Sequence, residues 1–282
     1  MAAKLTENSY GKSNVRLTKV TRHPNGRHDL KELSVSIQLQ GDFARCYTHG
    51  DNSAIIPTDT MKNTVYALAK SHDLGSIEGF ADHVGRHFVN NFRQVTSAHI
   101  TIEAPLWNRI LVDGASHEHA FVGGSNERRT CDAFISTAAV FHGGIKALTL
   151  LKTTKSGFVG FVKDAFTTLR ETNDRIFATA VDATWRYGAG DADYNACYAT
   201  IRDTILRVFA THDSLAVQQT LYEMGAAALA ACDQIDEISL TMPNQHRLLV
   251  NLQPFGLENA NEVFVPTDEP FGLISGTVAR EG

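Results

Sequence analysis

The sequence predicts an α+β fold built from two tandem copies of one module, each an antiparallel sheet with a pair of helices on one face. Three observations carry that expectation. Apolar and polar residues alternate at period two in several runs, as they do in strands with one wet face. Four other segments show the three-to-four spacing of amphipathic helices. The helix starts, near residues 59 and 76 in the first half and 194 and 214 in the second, repeat at offsets of 135 and 138 residues.

Taken in order, a first strand is expected around Val15 to Val20, and in a second Leu33, Val35, Ile37 and Leu39 alternate with Ser34, Ser36 and Gln38. Met61, Val65, Leu68 and Ala69 stripe a helix over about 60–71, and Ile77, Phe80, Ala81, Val84 and Phe88 stripe another over about 77–92. Alternation returns at Ala98, Ile100, Ile102 and Ala104, before a loop-rich stretch and a strand near Arg129 to Ile135. The second half repeats the order. Strands are expected near Ile145 to Leu151 and Ala178 to Tyr187, then a helix striped by Cys197, Tyr198, Ile201, Ile205 and Val208 and one carrying Val217, Leu221, Met224 and Ala228. Ile238, Leu240 and Met242 alternate before Pro243, Leu248, Val250 and Leu252 alternate after it, and a last strand runs near Leu273 to Val278. The modules divide at 1–138 and 139–282. Sheets of this kind leave open edges, which predicts association of copies into a closed barrel.

Composition narrows the function. A chain of 282 residues with 43% hydrophobic and 20% charged residues has enough apolar material for two real cores, which excludes disorder and collagen-like repeats. The net charge of -5 and the lack of any Lys/Arg run argue against nucleic acid as partner. Cys46, Cys131, Cys197 and Cys232 lie far apart without paired spacing, so neither a zinc knuckle nor a disulfide framework is expected, and a reducing cytoplasm fits. The polar N-terminus suggests no signal peptide, the longest apolar stretch, Met224 to Cys232, is too short for a bilayer, and Ala279-Arg280-Glu281-Gly282 is no peroxisomal address.

Three stretches offer what a flat, anionic, nitrogen-rich ring would need: Phe158 with Arg175, Val217 with Gln218, and Asn244 with His246. An arginine fork and a glutamine amide suit the edge of a planar acid, and a phenylalanine supplies a face. Each has a bland alternative. Arg175 follows Asp174, and a surface ion pair is the ordinary fate of such an arginine. Gln218 follows the N-cap candidate Ser214, at a helix start where free N–H groups favour anions, yet most such termini bind only water. Asn244 and His246, two apart in an extended stretch, should point to the same side, although Pro243-Asn244 could equally be a turn. Asp59 reads as an ordinary N-cap, with Thr58 needing no function. Lys12 sits just before the first strand, where most lysines are solvated; only burial against a ligand would suit it to proton chemistry. The His117-Glu118-His119 triplet and the His83/His87 pair lack a third ligand and the His-Glu-x-x-His pattern, so no metal is expected.

The chain resembles the urate oxidase (uricase) family over essentially its whole length. The resemblance rests on Tyr10-Gly11-Lys12, Asp51-Asn52-Ser53, Thr58-Asp59 with Lys62-Asn63-Thr64, Phe158 with Gly160-Phe161, and Thr167-Thr168-Leu169. Asp174-Arg175-Ile176, Val181-Asp182-Ala183-Thr184-Trp185, Val217-Gln218 and Pro243-Asn244-x-His246 complete it, in the family's order. It implies duplicated T-fold (tunnelling-fold) modules in a homotetramer around a central tunnel. It also implies oxidation of urate by O2 and water to 5-hydroxyisourate and hydrogen peroxide, with neither metal nor organic cofactor.

By the same resemblance Arg175 and Gln218 grip the urate edge, Phe158 stacks on the ring, and Leu169 and the Val217 backbone complete the pocket. Lys12, Thr58 and His246 form the proton relay, Asn244 holds oxygen and then water above the ring, and Lys12, Thr58 and Asp59 come from a neighbouring subunit. Two departures stand out. The chain ends soon after Arg280 without the tail and peroxisomal address of eukaryotic members, which suggests a bacterial cytoplasmic form or a trimmed chain, and Gln245 lies inside the last motif. Two other readings share the fold: a pterin or purine hydrolase or aldolase that uses zinc or a base-binding glutamate, and a purine-binding module without catalysis.

Overall fold

The computed structural model describes residues 3–188, 190–267 and 269–281. Contacts divide the chain into two compact units, Met1–Gly144 and Ile145–Gly282.

The first unit begins with β1 (Tyr10–Arg22) and β2 (His28–Gly41), continues through helices α1 (Ala44–His49), α2 (Thr58–Ser71) and α3 (Ile77–Asn91), and ends with β3 (Val95–Val112) and β4 (Ala115–Ile135). Its strands lie in the order β1-β2-β3-β4, and each neighbouring pair is antiparallel. The period-two residues face the helices: Val35, Ile37, Leu39, Ile100, Ile102, Ala133 and Ile135 are buried, and they share one core with Met61, Val65, Phe80, Val84 and Phe88 of α2 and α3. Ser76 caps α3 by accepting from the Gly79 N–H at 3.0 Å.

In the second unit the order is β5 (Ala139–Lys152, which begins before the unit boundary), β6 (Phe177–Tyr187), α4 (Tyr194–Thr211), α5 (Val217–Ala231) and β7 (Ile235–Asn244). A small pair, β8 (Arg247–Leu249) and β9 (Phe264–Pro266), precedes β10 (Gly272–Ala279). The main strands run β5-β6-β7-β10, so the expected strand-strand-helix-helix-strand-strand plan recurs.

The repetition reaches individual side chains. A Cβ on Gly85 of α3 would come within 2.5 Å of Ile135 Cγ1 in β4, and one on Gly225 of α5 within 2.7 Å of Val278 Cγ2 in β10. In each unit a helix glycine therefore lets the second helix close onto the last strand. Lys19 of β1 donates to the His72 carbonyl just after α2, and Lys152 of β5 to the His212 carbonyl just after α4, each meeting free C=O groups at a helix end.

Two expectations need correction, and one element had no counterpart among them. The stretch taken as loop-rich between Ala104 and Arg129 is a long hairpin, β3 running to Val112 and β4 starting at Ala115. Its turn is Asp113-Gly114, both at positive φ (50° and 79°), the chemistry of a two-residue type I′ turn. Trp107 Nε1 donates to Glu32 at 3.1 Å and Arg109 Nη2 to the His28 carbonyl at 2.6 Å, fastening the hairpin to β2. The alternation at Leu248, Val250 and Leu252 gives no core strand, because β8 stops at Leu249 and Asn251 Oδ1 takes the Gln253 N–H ahead of Pro254. The short α1, unforeseen because six residues carry no readable period, ends at Gly50 (φ 68°).

Gly85→Val should lower the stability of the protein by about 1–3 kcal/mol, since the added atoms overlap Ile135 and the core must shift. Adding Ile135→Ala should restore part of the loss in urea unfolding. An unchanged midpoint for Gly85→Val would show that α3 is free to move off the sheet.

Candidate active site

In the second unit, three segments distant in sequence are tied by backbone bonds. Gly157 N donates to the Ser214 carbonyl at 2.8 Å and Ser214 N to the Lys155 carbonyl at 3.0 Å, which pins the start of α5 to the 155–158 segment. Phe158 N donates to the Thr172 carbonyl at 2.7 Å, and Thr172 N returns a bond to the Phe158 carbonyl at 3.1 Å. A Cβ on Gly157 would lie 3.2 Å from the Asn173 carbonyl oxygen, so the close passage of these strands suits glycine. Phe158, Arg175 and Val217-Gln218 thus sit on one hydrogen-bonded frame.

Arg175 is half-buried, and its guanidinium carbon lies 5.3 Å from the centre of the Phe158 ring. Burial lowers its pKa from the usual arginine value. The expected ion pair with Asp174 is absent among the described residues, because the Asp174 carboxylate accepts instead from Thr154 Oγ1 at 2.9 Å. No described carboxylate or hydrogen-bond acceptor takes the Arg175 fork. A charged group rich in donors has been partly withdrawn from water without a partner among the described residues, the condition of a group waiting for an acceptor. Phe158 is stacked on Phe161, with centroids 4.9 Å apart and planes 12° from parallel, which sets the plane of the ring. Phe161 drew notice in the sequence only as part of the Gly160-Phe161 motif; its supporting role becomes visible in three dimensions.

Ser214 is not the cap of α5. The helix starts at Val217 with Ala216 at the cap position, while Ser214 is buried and accepts from Thr220 Oγ1 at 2.7 Å. Gln219 Oε1 reaches back to the Leu215 N–H at 3.1 Å. Neighbouring Gln218 stays exposed in the first turn, beside N–H groups that no helix carbonyl can take. Val217 itself is buried.

Asn244 ends β7, paired with Thr179 of β6 on one side and Gly272 of β10 on the other. Gln245 N donates to the Ala178 carbonyl at 2.9 Å, and the His246 carbonyl accepts from Thr267 N at 3.0 Å. Both backbones are therefore held near the entry to β6, close in sequence to Arg175. Leu169 lies apart from this frame on an exposed loop with Val162 and Phe166, respectively 56%, 94% and 90% exposed. Lys163 paired with Glu171 at 3.0 Å closes that loop.

The remaining candidates belong to the first unit. Gly11 lies so close to the Ile37 carbonyl oxygen that a Cβ would sit 1.7 Å from it, and an irregularity between Lys12 and Val15, with Asn14 at φ 55°, follows at once. Lys12 therefore leaves an edge strand that is locally bulged. Thr58 and Asp59 open α2, but Pro57 holds the cap position and Asp59 makes no capping bond, contrary to expectation. Its carboxylate is taken by Lys62 and by Asn63 Nδ2, the latter at 3.0 Å. The Lys62 bond and charge hold the Asp59 carboxyl below its ordinary range, with Lys12 adding a smaller pull. Lys12 is thus within electrostatic reach of the start of α2. The candidates thus fall into two sets: an arginine, amide and aromatic set in the second unit, and a lysine, threonine and aspartate set in the first.

The sequence profile of the family described as Uricase matches residues 8–133 and 141–275. The chain is 46% identical over 279 residues to a uricase of Arthrobacter globiformis, covering 99% of this chain and 90% of that protein. It is 42% identical over 281 residues to a uricase of Oryctolagus cuniculus, covering 96% and 93%. The crystal structure of the Arthrobacter globiformis uricase superposes with a TM-score of 0.94, over 100% of this chain and 96% of that one.

Removing an unpaired, partly desolvated charge should stabilise the molecule. Arg175→Met, which keeps most of the stem volume, is expected to raise the thermal midpoint by a few degrees. A fall of the midpoint would mark Arg175 as a structural group.

Proposed function

The chain belongs to the uricase family and is a urate oxidase, and we propose that its two half-sites act as one pocket completed by association of copies of the chain. The reaction takes two electrons from urate to reduce O2 to hydrogen peroxide, while water supplies the hydroxyl of 5-hydroxyisourate. The observation that carries the site assignment is Arg175: a half-buried fork with no acceptor among the described residues, beside the Phe158 ring. Arg175 and Gln218 hold the carbonyl and ring-nitrogen edge of the urate anion, and Phe158 stacks on its face. Val217 contributes its backbone and Leu169 an apolar wall.

Two charge-assisted bonds at about 1.5–3 kcal/mol each and stacking at roughly 1–3 kcal/mol together span the range from millimolar to micromolar binding. A fixed positive charge also favours the more ionised, more electron-rich urate, which gives up an electron to oxygen directly. The protein then has protons and positions to manage. Lys12 accepts a proton through the Thr58 hydroxyl, His246 joins that relay, and Asn244 holds oxygen and afterwards water above the ring. Asp59 offers the N–H of the first turn of α2.

Apolar side chains left in water beside the second half-site, Val162, Phe166, Leu169 and Leu215 among them, support burial against another copy. A homotetramer of duplicated T-fold modules, divided at 1–138 and 139–282, is the assembly we propose. None of the described helices is long and apolar enough to cross a membrane, and we assign the protein to the cytoplasm.

Chelator-treated protein should consume urate with one O2 taken up and one peroxide formed per turnover, followed by urate absorbance with an oxygen electrode in parallel. Lys12→Met should cut kcat by about 10²–10⁴-fold with KM for urate changed only a few-fold. An unchanged kcat would remove Lys12 from the relay, and absence of turnover in the parent protein would overturn the oxidase reading.

A further inference from the structure

We propose that Tyr10 is a positioning residue for the urate reaction, a clamp whose hydroxyl sets the spacing between Lys12 and Thr58. The inference rests on the relay proposed above and adds a residue to it. Tyr10 precedes Lys12 by two positions on β1, and Ile56 precedes Thr58 by two positions before α2. The Tyr10 hydroxyl accepts from Ile56 N at 2.7 Å and donates to Ile56 O at 3.2 Å, so one side chain occupies both polar groups of one backbone position.

The clamp is itself held. The Tyr10 ring meets Phe43 edge-on, with centroids 4.8 Å apart and planes at 90°, and Phe43 is 1% exposed. Tyr47 of α1 donates to the Ser9 carbonyl at 2.9 Å, and Gln94 Nε2 to the Ala54 carbonyl at 2.9 Å, fastening the chain on either side. Ile56 is buried, whereas Thr58 and Asp59 are exposed and α2 has no side-chain cap. Burial raises the Tyr10 phenol and the Ile56 bond opposes it, leaving a neutral hydroxyl able to donate and accept at once.

Proton transfer between an amine and a hydroxyl needs heavy atoms about 2.6–3.2 Å apart, and a displacement of roughly 1 Å costs as much as a hundredfold in rate. Lys12 and Thr58 are 46 residues apart in sequence, on a bulged strand and an uncapped helix start. The Tyr10 hydroxyl joins the two supports directly.

The test is a double-mutant cycle on the full-length protein. Tyr10→Phe should lower kcat by about ten- to hundredfold while KM for urate and the affinity for a non-reacting urate analogue change less than about threefold. Placed on Lys12→Met, the same substitution should have almost no further effect, because the residue it positions is gone. A full-size loss in the Lys12→Met background, or an unchanged kcat for Tyr10→Phe alone, would overturn the clamp while leaving the Lys12 assignment standing. An unchanged kcat for Lys12→Met would overturn both. Should Tyr10→Phe fail to fold, Phe43→Leu, which loosens the ring but keeps the hydroxyl, should lower kcat in the same direction and lose its effect in the Lys12→Met background.

Discussion

Burial of one face of each four-stranded sheet beneath its own pair of helices is the constraint on which the rest of the structure depends. Gly85 and Gly225 exist to let that contact close, and the lysine bonds to the His72 and His212 carbonyls hold the ends of α2 and α4 against their first strands. The opposite faces then have to be polar: hydroxyls pair across β7 and β10, Ser239 with Thr277 at 2.7 Å and Thr241 with Ser275 at 3.0 Å. With one face sealed and the other committed to water, chemistry is left to strand ends, helix starts and the segments joining them. Every candidate site residue lies in such a place.

Within the second unit the candidate binding groups are held by backbone bonds between segments distant in sequence. Phe158 and Arg175 occupy segments with no long element of their own, kept in place by backbone bonds to Thr172 and to Ser214. Those bonds hold the backbone and leave the side chains unspent. The neighbouring polar groups are occupied instead: Thr154 takes Asp174, Gln219 takes the Leu215 N–H, and Lys163 takes Glu171. Asp174, Gln219 and Glu171 are thereby each engaged elsewhere. Arg175 and Gln218 keep their hydrogen-bonding capacity for a ligand.

The sequence disclosed what burial dictates and concealed what distant contacts decide. Val35, Ile37 and Leu39, or Phe80, Val84 and Phe88, announce strand and helix because a dry face must repeat at the period of its element. The arms of the β3–β4 hairpin give no such pattern, since Leu111, Val112 and Val122 stand in water on an extended ribbon. Only Asp113-Gly114 marked the turn. Ser214 is a good capping residue by type, yet backbone bonds to Lys155 and Gly157 draw it inward and hand the cap position to Ala216. The freedom of Arg175 was unreadable because it turns on Thr154, twenty positions before the Asp174 that it captures. Motif order pointed to the site residues, while their local state needed the fold.

Dividing the site between two units has a physical logic. A fixed arginine and an amine that must lose or gain a proton are poor neighbours in the absence of ligand, because like charges drawn together out of water repel. On the first unit the ammonium of Lys12 lies within reach of Asp59, whose carboxylate is balanced by Lys62 and Asn63. In the pocket we propose, an anionic ligand between the two cations would supply the missing negative charge. On that reading the proposed clamp at Tyr10 matters because a relay between amine and hydroxyl tolerates little slack, and Tyr10 ties β1 to the backbone just ahead of Thr58.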